Sequence, residues 1–147
     1  MEVRPARRDD GPRIFELISL LAEFEELPAP DVSVRDRLLA DAFERQLYEL
    51  WVAELDGQVA AYAACFTSYS TFRARPTLFL EDLFVHPSAR RRGVATAMLA
   101  RLRGEAERRE CGRFEWMVLD WNATAQALYT AVGATIHPAW RLVRIDL

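Results

Sequence analysis

Two apolar runs rich in aromatic and β-branched residues, Tyr48 to Leu55 and Gln58 to Tyr69, meet at Asp56-Gly57, and this junction constrains the fold more than any other feature of the 147-residue chain. Asp-Gly tolerates the positive φ angles of a two-residue hairpin turn, so the runs are predicted to fold back on each other as antiparallel strands. Upstream, Glu2 to Pro5 reads as a short first strand. Ile14, Leu17, Ile18, Leu21 and Phe24 then recur at helical spacing behind Asp9, Asp10 and Pro12, an N-cap and first-turn signature. The segment Leu27-Pro28-Ala29-Pro30-Asp31 ends that helix, and Val34, Leu38, Leu39, Ala42 and Phe43 predict a second, with Ser33 as its cap. Downstream, Thr77 to Val85 reads as a strand, Gly93 to Glu110 as a helix, Arg113 to Leu119 as a strand and Ala123 to Val132 as a helix closed by Gly133. Arg141 to Ile145 reads as a last strand. This order predicts an α/β (α+β) fold, a mixed sheet flanked by helices, in a single domain over residues 1–147.

Charge and composition exclude several function classes. Residues 1–57 carry 14 acids against 7 arginines and residues 58–147 carry 8 against 12, so the halves stand at -7 and +4. Every basic residue is arginine, yet no basic stripe follows a helix, which argues against nucleic acid as a partner. No apolar run approaches the ~20 residues of a membrane span, and Met1-Glu2-Val3-Arg4 opens no signal core, so a cytoplasmic protein with no membrane partner is expected. Cys65 and Cys111 read as reduced thiols. His86 and His137 have no carboxylate or thiolate at ligand spacing, so no metal is expected and both histidines read as turn or surface residues.

Chemistry concentrates between Leu80 and Thr96. A strand stopped by Pro87 leads to Arg90-Arg91-Arg92-Gly93-Val94-Ala95-Thr96 at the start of a helix. Unpaired N–H groups and the helix dipole favour an anion there, small Gly93 and Ala95 let it approach the backbone, and three arginines add charge. A phosphate or pyrophosphate site is one reading of this spacing, and a basic, solvated helix cap is the other.

Arg90-Arg91-Arg92-Gly93-Val94-Ala95, between a strand and an amphipathic helix, resembles the acetyl-CoA motif Arg/Gln-x-x-Gly-x-Gly/Ala of the GNAT superfamily of N-acetyltransferases. Asp120-Trp121-Asn122 followed by Tyr129 is similar to its second cofactor motif. Leu20-Leu21-Ala22-Glu23-Phe24-Glu25, Tyr69-Ser70-Thr71-Phe72, Leu80-Glu81-Asp82-Leu83-Phe84-Val85 and Trp140-Arg141-Leu142 extend the resemblance over nearly the whole chain, to the spermidine/spermine (diamine) and thialysine branch. The resemblance implies a GNAT-like, mostly antiparallel sheet that splays where the pantetheine arm inserts, with acetyl-CoA as co-substrate. It implies that Leu83, Phe84 and Val85 offer backbone groups to pantetheine and the acetyl carbonyl, and that Arg90 belongs with Arg91, Arg92, Gly93, Val94, Ala95 and Thr96 in the pyrophosphate motif. Glu115 to Met117, Asn122 and Ala125 complete the implied groove.

In such a reaction an amine attacks a thioester, the oxyanion needs a fixed N–H donor and the leaving thiolate needs an acid. The resemblance assigns the acid to Tyr129, whose phenol, near pKa 10 when unperturbed, keeps its proton at neutral pH. An alkylammonium must first lose a proton, and Glu81 is the favoured acceptor, with Asp82 expected to alternate to the other strand face. Phe24, Glu25, Glu81 and Asp82 are the implied substrate-binding residues, and Trp140 matches a tryptophan that lies either with them or at the dimer interface. Neither cysteine has a partnering base, which favours direct transfer in a ternary complex over an acyl-enzyme.

This chain departs from the family pattern in three respects: Ala95 stands for the second glycine of the pyrophosphate motif, the connection from Tyr129 to Trp140 is shorter than in the animal polyamine enzymes, and Ile136-His137-Pro138-Ala139 lacks the acidic residues they carry just before the tryptophan. One anionic contact for a long polycation is missing, which leaves a polyamine, a diamine or a thialysine-like primary amine as acceptor. The branch is dimeric, so a homodimer is expected, with Arg141 to Ile145 at its interface. A non-catalytic acyl-CoA sensor and a protein or peptide N-acetyltransferase are the rival readings.

Overall fold

The computed structural model describes residues 1–147 in the order β1 (Glu2–Pro5), α1 (Gly11–Phe24), α2 (Arg35–Phe43), β2 (Glu49–Leu55), β3 (Gln58–Ser70), β4 (Arg75–Val85), α3 (Val94–Arg108), β5 (Arg113–Trp116) and α4 (Ala123–Ala131). Single 3-10 turns lie at Arg8–Asp10, Val32–Val34 and Pro87–Ala89. Two compact units make up the chain, Met1–Met117 with the sheet and α1 to α3, and Val118–Leu147 with α4.

In the first unit the sheet order is β1-β2-β3-β4-β5, antiparallel throughout except that β5 runs parallel to β4. The parallel step needs a crossover, which α3 supplies. Leu55 pairs with Gln58 across the expected turn, with Asp56 at φ 55° and Gly57 at φ 77°, the two positive values such a hairpin demands.

The sheet is buried on both faces. Leu50, Val52, Tyr62, Ala64 and Phe84 pack with Ile14 and Leu17 of α1 and Ala42 of α2. The alternate residues Trp51, Ala53, Ala61 and Ala63 are also buried and by the period of two point the other way. There α3 buries Met98, Leu99 and Leu102, and its Arg101 guanidinium lies 4.8 Å from the centre of the Trp51 ring. Double coverage explains why β3 reads as a nearly continuous apolar run. Glu105 of α3 is buried among Arg101, Arg108 and Arg109. Hydrogen bonds from Arg108 and Arg109 hold its carboxyl down at about 2, while Arg109 reaches Glu49 of β2 at 2.5 and 2.7 Å.

The local devices differ in places from those predicted. Asp10 stands at the N-cap of α1, but its carboxylate accepts from Arg4 at 2.8 and 3.1 Å and from the Arg7 N–H at 2.7 Å, tying β1 to the helix start instead of capping it. Asp31 rather than Ser33 does the capping ahead of α2, accepting from the Ser33 N–H at 2.7 Å. β5 ends at Trp116, short of Leu119. In the second unit Gly133, at φ 87°, follows α4 as expected. Arg141 to Ile145 forms no strand: an isolated segment has no ladder partner for its N–H and C=O groups, and Trp140, Leu142, Val143 and Ile145 are exposed. No helix is long and apolar enough to cross a membrane, and the cysteines are unpaired.

Candidate active site

The register of β3 against β4 slips at the site. Cys65 faces Leu80 and Ala64 faces Asp82, so Glu81 is the extra residue of a β-bulge. The bulge breaks the period of two. Glu81 and Asp82 therefore line the same cavity, of about 400 Å³, and Asp82 does not alternate away from Glu81 as expected. Ile18 of α1, Leu38 of α2, Tyr48, Leu50 and Phe66 give apolar walls, and Arg37 and Asp41 of α2 complete the lining.

The two carboxylates differ in setting. Glu81 is exposed, whereas Asp82 is partly buried and neither makes an ion pair. Burial pushes the Asp82 carboxyl up to about 6, the Glu81 charge adds to the rise, the Tyr62 hydroxyl opposes it, and Glu25 contributes a smaller increase. That hydroxyl is itself buried without a partner in full hydrogen-bond geometry. Glu25, just beyond the end of α1, is raised by its own burial. Burial, with the charges of Asp41 and Asp82, pushes the Tyr48 phenol up to about 12, and its hydroxyl donates to the Leu38 carbonyl at 2.8 Å. Asp41 is engaged by Arg45. The structure thus brings Glu25, Glu81 and Asp82 into one electrostatic group.

On the other edge of β4, β5 pairs only with Thr77 to Leu80. From Glu81 onward that edge carries no strand, so the backbone of Leu83, Phe84 and Val85 is paired to β3 alone and can accept an extended, amide-bearing chain. The strand then enters a turn that His86 stabilises, its Nδ1 accepting from the Ser88 N–H at 3.3 Å and contacting the Ser88 Oγ at 2.7 Å. Arg91 at φ 63° and Gly93 at φ 78° reverse the chain into α3, and nothing lies within 4 Å of where a Gly93 Cβ would stand. The Ala97 N–H donates to the Gly93 carbonyl at 3.0 Å and opens the helix ladder, leaving the amides of Val94, Ala95 and Thr96 to an external acceptor.

The three arginines are not equivalent. Arg90 lies 5.4 Å from the centres of both the Phe24 and Phe84 rings and donates to the Val85 carbonyl at 3.2 Å, so it braces the end of α1 against β4. Arg92 pairs with Asp56 at 2.9 Å. Arg91, unlike the other two, has no hydrogen-bond acceptor, carboxylate or aromatic ring as partner. In the second unit the Asn122 side chain caps α4 by accepting from the Ala125 N–H at 3.1 Å, Tyr129 is half-buried on that helix, and Trp140 is 84% exposed.

Arg37, Asp41, Tyr48 and Tyr62 were not singled out by sequence reasoning. For α2 a signal existed, since Val34, Leu38 and Asp41 recur at helical spacing and Arg37 adjoins that stripe. No group of three or more His, Cys, Asp or Glu side chains is arranged to hold a metal ion.

A strand edge open beyond its pairing partner, running into an uncovered glycine turn and a free helix N-terminus beside an acidic cavity, suits an acyltransferase that holds a carrier with a peptide-like arm and a diphosphate. Residues 14–134 match the Acetyltransferase (GNAT) family, and the chain belongs to it. It is 33% identical to the thialysine N-epsilon-acetyltransferase of Bos taurus, over 98% of this chain and 91% of that one. It is 34% identical to the L-ornithine N5-acetyltransferase of Arabidopsis thaliana over 61% of this chain and 40% of that protein. A solved structure described as a probable acetyltransferase shares the fold with a TM-score of 0.87 at 19% identity, covering 100% of this chain and 98% of its own. The protein is therefore an N-acetyltransferase of a family that uses acetyl-CoA as co-substrate.

Proposed function

We propose that the protein acetylates a small primary amine, polyamine, diamine or thialysine-like, by direct attack in a ternary complex with acetyl-CoA. The observation that carries this reading is the bulge-paired Glu81 and Asp82 on a small, partly apolar cavity, on the strand whose free edge leads into the anion-binding turn. A cavity of about 400 Å³ suits a small molecule. Its relatives' names, thialysine and ornithine acetyltransferases, fit an amine acceptor.

Acetyl-CoA, when bound, supplies an activated acyl group. Its arm fits the open backbone of Leu83, Phe84 and Val85, and its diphosphate fits the amides of Val94, Ala95 and Thr96 beside the Gly93 turn, with Arg91 as the guanidinium left free for it. Arg90 and Arg92 act through the shape of the turn, and Asn122 with Ala125 through the start of α4. Glu81 and Glu25 attract the ammonium. Asp82, the carboxyl raised towards neutrality, takes its proton, sharing the role first given to Glu81. Tyr129 gives a proton to the departing sulfur.

The reading is tested by release of free CoA thiol with a panel of spermidine, spermine, putrescine, thialysine, ornithine, lysine and an N-terminal peptide. Turnover confined to small amines is the expected outcome; turnover of the peptide alone overturns it.

We further propose a cytoplasmic homodimer, in keeping with the unpaired cysteines and with Trp140, Val143 and Ile145, which are 84%, 89% and 85% exposed on a strandless segment. Light scattering is expected to give a dimer for the full chain and a monomer after removal of residues 141–147. Equal masses for the two would refute this role of the segment.

A further inference from the structure

The cavity is electrically two-sided. Glu81 and Asp82 stand on the β4 side with no arginine to neutralise them, and Arg37 is the single cation in the lining. Asp41, the other charged group contributed by α2, is already engaged by Arg45. Arg37 itself makes no hydrogen bond and no ion pair in a protein rich in both, and it is exposed. A guanidinium so placed favours a carboxylate, which its planar fork binds with two hydrogen bonds, and repels a second ammonium.

We infer that Arg37 is a specificity-determining residue that binds a carboxylate at the far end of the acceptor while Glu81 and Asp82 hold the reacting amine. The inference deepens the acceptor-cavity reading and rests on it. The favoured acceptor is a zwitterion, an amino acid with a terminal side-chain amine, and a di- or polyamine of the same length is disfavoured because its second ammonium meets Arg37 with no carboxylate beside it to offset the repulsion. Discrimination of this kind combines attraction for one ligand end with repulsion of the alternative.

The test compares kcat/KM for ornithine and thialysine with that for their decarboxylated counterparts, putrescine and bis(2-aminoethyl) sulfide, in wild type, Arg37→Ala and Arg37→Glu. The wild type is expected to prefer each amino acid over its diamine by about 10- to 100-fold, with the difference mainly in KM. Arg37→Ala brings the ratio to within a few-fold of one, and Arg37→Glu inverts it. Because Arg37 is exposed and unbonded, both variants are expected to melt with the wild type, and acetyl-CoA titration checks that the carrier site is intact. A wild type that prefers the diamines, or a ratio that Arg37→Ala leaves unchanged, overturns this inference alone. No turnover of any of the four amines overturns the acceptor-cavity reading beneath it.

Discussion

Tyr129→Phe is expected to lower kcat by about 10²- to 10⁴-fold, the range for losing a positioned general acid, while leaving acetyl-CoA affinity within about twofold of wild type. The substitution deletes one oxygen from a half-buried side chain of α4 and leaves the Asn122 cap and the Gly133 terminus in place. A melting curve separates lost chemistry from lost fold. The same variant divides the enzyme from an acyl-CoA sensor built on the same groove, since a sensor has no turnover to lose. A fall in kcat of less than about fivefold would remove Tyr129 from the role of proton donor and point to water at that step.

Much of the fold was legible because its signals are local. Asp56-Gly57 specifies a turn by the φ values it tolerates, and the strands on either side follow from their composition. Gly133 adopts the positive φ expected of a helix C-cap, and Gly93, named for its small size, turns out to adopt one as well. The carboxylate group at the site was legible only in part. Glu25, Glu81 and Asp82 were named, but alternation along a strand put Asp82 on the wrong face, because a bulge depends on how β3 pairs and leaves no mark in the sequence of β4 alone. Asp10 and Arg90 have partners that were hidden for a related reason. A side chain that a local pattern assigns to a cap or an anion can be taken by a partner distant in sequence, Arg4 for Asp10 and the Phe24 and Phe84 rings for Arg90. Arg141 to Ile145 carries strand-forming residues, yet composition cannot supply the neighbour that a strand needs.

The bulge that misled the alternation argument has the second large consequence. With its carboxyl pushed up to about 6, Asp82 is a proton acceptor matched to neutral pH, so kcat/KM is expected to rise with pH through about 6. Asp82→Asn should lower kcat/KM by about 10²-fold or more and abolish that limb. Glu81→Gln should keep the limb but move it to lower pH, because the Glu81 charge is one of the causes of the rise. Stability should respond in the opposite sense. A carboxyl with a pKa higher in the folded than in the unfolded chain, where it lies near 3.8, binds its proton more tightly when folded. Its ionisation therefore opposes folding, fully above about pH 6 and not at all below about pH 4. Asp82→Asn is expected to stabilise the protein by on the order of 1–2 kcal/mol at pH 8, allowing for partial solvent contact, and the gain should vanish on acidification. A variant that loses both activity and stability at pH 8 would make Asp82 a structural residue. Lost turnover with gained stability would identify a carboxylate kept in an unfavourable setting for the proton it removes.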